Sequence, residues 1–200
     1  RAARGRQFRR LPANLSGSTL TKPVRLRAAL LIACICCSSV SAAPADDWAN
    51  TLAIYVDEQG RTDFAALAQK PDALARYVDW LAGHGPRTMP AAFTSAAAVL
   101  AFHINAYNAL AMDGIIAREL PKNFSSFFKR ASFFRFRSIV VDGEKTNLYD
   151  YENDVIRPLG DARVPFVLNC MVRDCPRLPQ TPFTAEDLDS DLDRLTREFI

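Results

Sequence analysis

Apolar positions recur at helical spacing in the first half of the chain and in short runs in the second. Residues 46–56 place Trp48, Leu52 and Tyr55 on one face behind Asp46 and Asp47, which predicts a short amphipathic helix ended by Gly60. Residues 71–81 open on a proline and carry Leu74, Tyr77, Val78 and Leu81 in helical register. A Gly-His-Gly-Pro cluster at 83–86 stops that second helix. Thr94 is placed to cap a longer third helix running to about Glu119, before Pro121. Val99, Leu100, Phe102, Ile104, Leu110, Met112, Ile115 and Ile116 cover it nearly all round, so it is expected to be buried at the centre of the domain.

The pattern then shortens. Residues 133–141 are aromatic and β-branched with partial alternation, which predicts a strand; Asp142-Gly143 is a hairpin turn, and 144–148 the return strand. Residues 149–156 read as a helix ended by Pro158 and Gly160. The apolar run 164–170 predicts a third strand, with Pro165 restricting its start to an edge. Thr184 opens a capping box, after which Leu188, Leu192, Leu195 and Phe199 form the seam of a last helix. The expected class is α+β: a helical N-terminal half with a buried central helix, a small mainly antiparallel sheet and a further C-terminal helix.

Charge divides the chain differently. Residues 1–27 hold eight basic residues and no acid, 28–40 are apolar, and small residues follow at 41–43. That order is the pattern of a secretory signal peptide, with a cleavage site at Val40-Ser41-Ala42 or Ala43-Pro44-Ala45. A minority alternative is a lipoprotein box at 31–34, which would anchor the chain through a lipid on Cys34. Residues 1–45 are therefore expected to be a basic leader outside the fold, and 46–200 a single domain with no transmembrane span, exported to the periplasm or beyond. The first methionine is Met89 and the sequence ends within a helical pattern, so the domain reads as truncated. Of 25 basic and 22 acidic residues, 17 basic and 22 acidic lie after the leader, a net charge of −5. The basic pI thus belongs to the leader and no nucleic-acid partner is expected.

Candidate chemistry centres on Phe166-Val-Leu-Asn-Cys-Met-Val-Arg-Asp-Cys-Pro, where Cys170 and Cys175 are the two cysteines left after the leader. Such a pair forms a disulfide, binds metal or supplies a nucleophile. No histidine pair completes a tetrahedral zinc site with Cys170 and Cys175, so no metal and no cofactor are expected. Asn105, Tyr107 and Asn108 lie together on the buried helix, where an amide must be hydrogen-bonded: a structural network, or a group that orients catalysis. Glu152 sits among acids at 150–154, a solvated face or a general base. His84 is expected to be exposed in its turn, and His103 to be a bonded core histidine. Residues 124–137 pack six phenylalanines beside four basic residues, expected to be a helix-to-strand junction with its charges on the wet side.

Phe102-His-Ile-Asn-Ala-Tyr-Asn-Ala-Leu110, Phe166-Val-Leu-Asn-Cys170 and Cys175-Pro176 together resemble the DUF547 family, a domain of unknown function common in exported bacterial proteins. The resemblance covers roughly 93–200, and by it Asn105, Tyr107, Asn108, Glu152, Asn169, Cys170, Cys175 and Pro176 match signature positions. Two histidines frequent in the family are replaced by Pro165 and Asn153, and His103 stands where an aromatic is usual.

Two functions follow from these residues. One is a non-catalytic binding or scaffold domain, in which a Cys170–Cys175 disulfide pins the proline-rich loop 171–182 and Tyr107, Asn108, Asn169 and Arg173 serve a small-molecule or peptide ligand. The other is a papain- or transglutaminase-like thiol hydrolase or acyl transferase. Cys170 would then be the nucleophile, Asn105 or Asn169 an orienting or oxyanion group, and Glu152 or His103 the base. Export favours oxidation, so the first is preferred.

Overall fold

A computed structural model of the chain describes residues 45–118, 127–171 and 175–200. Residues 1–44 of the expected leader, including Cys34, and Arg173 lie outside the described residues. Helices α1 (Ala45–Tyr55), α2 (Phe64–Gln69), α3 (Asp72–Gly83), α4 (Ala96–Ile116) and α5 (Phe127–Phe136) precede a hairpin of β1 (Ser138–Val141) and β2 (Glu144–Asn147). A short α6 (Leu148–Asp150) and the C-terminal α7 (Leu188–Phe199) complete the order. Helices packed round one antiparallel hairpin make the fold α+β.

Helix α4 is the axis. Ser95, not Thr94, caps it, its hydroxyl accepting from the Ala98 N–H at 3.1 Å, and the helix ends at Ile116, short of Glu119. Residues from Leu100 to Met112 are all buried, whichever face they occupy. Its length and hydropathy match a membrane span, but 83% of that stretch is buried inside the protein, which makes it a core helix. Helix α1 packs beside α3: Trp48 stacks on Tyr77 at 5.6 Å between ring centres, and Arg76 grips both carboxylate oxygens of Asp47 through the Nε–Nη2 edge of its guanidinium. That grip holds the Asp47 carboxyl below its ordinary pKa.

The expected strand over 133–141 is mostly helix. Only Ser138–Val141 truly alternates, with Ile139 and Val141 buried and Val140 exposed, and only that stretch pairs. Before it, Phe133 is fully buried while Arg135, two residues on, is exposed, so period two fails. Phe133 packs on Gly114 of α4, where any Cβ would lie 2.7 Å from its ring. The hairpin turn is as expected, Asp142 and Gly143 both taking positive φ, 52° and 74°.

The expected third strand at 164–170 does not exist. Val164–Phe166 is a 3-10 turn in which Pro165 occupies the first turn, where its missing N–H costs nothing. Val164, Val167 and Leu168 are buried, so the apolar run is a core segment, but turn and side-chain hydrogen bonds satisfy its backbone in place of a ladder. Residues 149–156 are helical, yet Tyr151–Ile156 winds as a wide π-turn. Helix α2, capped by Asp63, has no counterpart among the sequence expectations. Helix α7 buries Leu188, Leu192 and Leu195 as expected, and Arg163 clamps it by pairing with Asp161, Asp189 and Asp193.

Candidate functional site

Helix α4 reaches the cysteine segment through Asn108. Its Nδ2 donates to the Val167 carbonyl at 3.0 Å and its Oδ1 accepts from the Asn169 N–H at 2.8 Å, as a strand partner would. This amide replaces the missing ladder. Asn169, 7% exposed, extends the bracket by donating from Nδ2 to the Pro176 carbonyl at 2.8 Å and accepting the Met171 N–H at 2.6 Å. One side chain thereby holds both ends of the loop 170–175.

Cys170 and Cys175 close the same loop as a disulfide with a Cα separation of 5.7 Å, inside the range such a bond spans. Met171, beside the disulfide, adopts a positive φ of 57°. Beside the loop lies a cleft of about 610 Å³ whose walls include Arg61, Phe64, Asn169, Met171, Cys175 and Phe199. The hairpin-like turn around Gly60 forms the facing wall. Gly60 has φ 72°, and a Cβ there would lie 2.8 Å from the Leu178 nitrogen, so only glycine lets the turn approach the loop. Gln180 ties the two together, donating to the Val56 carbonyl at 2.7 Å.

The other sequence candidates lie apart from the sulfur. Asn105 is fully engaged: its Oδ1 accepts from Trp48 Nε1 and the Phe183 N–H, and its Nδ2 donates to the Phe183 carbonyl. It staples α1 and the C-terminal segment to α4. Tyr107 donates to Glu152 at 3.3 Å, while Arg157 holds the other carboxylate oxygen at 2.6 Å. Burial first, then the Glu152 charge, pushes the Tyr107 phenol far above its ordinary pKa. Among the described residues, no hydrogen bond joins Cys170 to Asn105, Glu152 or His103.

His103 is buried and bonded, its Nδ1 lying 2.7 Å from the Tyr151 hydroxyl. His84 is half-buried, not exposed, because it stacks on Trp80 at 4.9 Å and bonds its carbonyl. Among the described residues, no three His, Cys, Asp or Glu side chains converge to hold a metal ion.

Sequence reasoning missed Asp142 as anything but a turn residue. Its carboxylate accepts from the Arg87 and Thr88 N–H groups and the Thr88 hydroxyl, at 2.6–2.8 Å, fastening the hairpin to the loop after α3. Burial works against its charge, but these three bonds prevail and hold its pKa below the ordinary value. No local signal marks this, since the partners lie some 55 residues away.

No curated protein and no solved structure matches the chain. A family model described as "Protein of unknown function, DUF547" matches residues 91–200, more than half the chain. The match takes in the asparagines of α4, the Tyr107–Glu152 pair, the bracketed loop and its disulfide; the chain belongs to the DUF547 family.

Proposed function

We propose that the chain is an exported, non-catalytic binding domain whose recognition element is the pinned loop 171–182 and the cleft beside it. The observation that carries this reading is the double closure of one short loop. The Cys170 sulfur is bonded to Cys175, and the Asn169 amide joins the same two ends. A sulfur in a disulfide is no nucleophile, and pre-ordering a loop lowers the entropy lost when it binds. The cleft volume falls within the range that holds small molecules or the end of a peptide, and its walls offer both apolar surface and the charge of Arg61. A disulfide also fits an oxidising compartment, in keeping with the basic-then-apolar leader sequence.

Comparison of Cys170→Ser with Cys175→Ser tests the proposal. Either change breaks the same bond, so both are expected to lower the unfolding midpoint equally and to leave a panel of ester and amide substrates untouched. Turnover of any of these substrates by the reduced wild type, abolished by Cys170→Ser and retained by Cys175→Ser, would establish the thiol hydrolase or acyl transferase instead.

A further inference from the structure

A second cleft, of about 480 Å³, opens on another side of α4. His103 forms its floor, the loop at Pro86–Arg87 and the hairpin form one wall, and residues 150–155 form the other. Burial of the His103 residue is nearly complete at 7% exposure, but its Nε2 has no hydrogen-bond partner among the described residues. Nor is that atom sealed in, since Thr196 Oγ1 is the one fully buried side-chain polar atom among them without a partner. Nε2 therefore faces the cleft.

The tautomer follows from Tyr151. Its hydroxyl is buried and has His103 Nδ1 as its sole partner among the described residues. If Nδ1 carried the proton, the phenol O–H would be buried with no acceptor, a costly state. The phenol therefore donates to Nδ1, and Nε2 carries the hydrogen. Desolvation keeps the ring neutral, pushing its pKa down to about 4 against the opposing pull of Asp142. The floor of the cleft is a neutral N–H donor.

The charged groups on the walls are Arg87, Lys145, Asp142, Glu144, Asp150 and Asp154, an excess of acid. Arg87 is engaged with the Asp142 carbonyl and Glu144, and the Asp142 carboxylate with Thr88 and the Arg87 N–H. Asp150 accepts from the Asn147 side chain, while Asp154 and Lys145 have no partner among the described residues. Pro86 and Val155 add apolar surface.

We propose that this cleft binds a small primary amine carrying an acceptor oxygen, of the amino-acid-amide type, with the oxygen on His103 Nε2–H and the ammonium towards Asp154 and Asp150. The site is separate from the disulfide loop and does not depend on its role. A ligand with a free carboxylate meets the acidic excess and is disfavoured; one without the amine leaves Asp154 unmatched.

The test uses the full chain and three probes, leucinamide, N-acetylleucinamide and acetate, followed by nitrogen-15 NMR of the His103 ring and by calorimetry. Leucinamide is expected to shift the Nε2 resonance saturably, with the free protein already in the Nε2–H tautomer. N-acetylleucinamide should bind about threefold or more weakly. His103→Phe should weaken leucinamide about fivefold. Asp154→Asn, at an exposed position that cannot unfold the core, should weaken it about threefold. No saturable shift with leucinamide, an Nδ1–H tautomer, equal or tighter binding of either other probe, or unchanged affinity in Asp154→Asn overturns the proposal.

Discussion

Asn169 joins two backbone positions, Met171 and Pro176, with one short side chain, and its two amide atoms are not interchangeable. Asn169→Asp keeps the oxygen that accepts from Met171 but places a second acceptor against the Pro176 carbonyl. Two acceptors face to face in a buried site are expected to cost about 2–3 kcal/mol, read as a fall in the urea midpoint. An unchanged midpoint would remove the bracket from the account. His103 gives a second test at this scale, through pH. Its folded pKa of about 4 lies below the ordinary 6.5, so between these values the unfolded chain binds the extra proton and the folded one does not. Stability from the neutral ring is complete above pH 6.5 and is lost as pH falls towards 4. Between pH 7.5 and pH 5 the loss is about 2 kcal/mol, and His103→Phe should lack that slope even if it is less stable throughout. The depressed carboxyls of Asp47, Asp142 and Asp161 lose their contribution at lower pH, below their ordinary value of 3.8.

Among the elements, the contact of α5 with α4 turns on Gly114, whose missing side chain admits Phe133. Gly114→Val must displace that ring and is expected to destabilise by about 1–3 kcal/mol, measured by thermal unfolding. No change would mean that Phe133 packs elsewhere. The same junction shows what the sequence made legible. Helix α4 could be read because buried residues on every face need no knowledge of their neighbours, and the hairpin because Asp-Gly has a local preference for positive φ. The strand over 133–141 was misread because aromatic content stood in for alternation, which only Ser138–Val141 possesses. The absent strand at 164–170 has a different cause. An apolar run and a proline fit either a buried strand or a buried turn, and the choice is made by Asn108, some 60 residues away, which supplies the hydrogen bonds of a ladder. Family resemblance marked that asparagine without revealing its role, which only the packed structure discloses.

At the scale of the whole molecule, the disulfide adds local order to a domain whose core does not depend on it. A loop closing so few residues contributes about 2 kcal/mol by chain entropy. Reduction should therefore lower the melting temperature by about 4–8 °C without unfolding the domain at 25 °C. Loss of the fold on reduction would show that the bond carries the core. The central claim, that Cys170 serves structure and not catalysis, is tested most directly by the state of its sulfur. Protein recovered from an oxidising compartment should have an intact mass two hydrogens below that of the reduced chain, with Cys170 and Cys175 alkylated only after reductant. Rapid labelling of Cys170 below pH 8 without reductant, Cys175 remaining inert, would mean an activated thiolate and contradict the account.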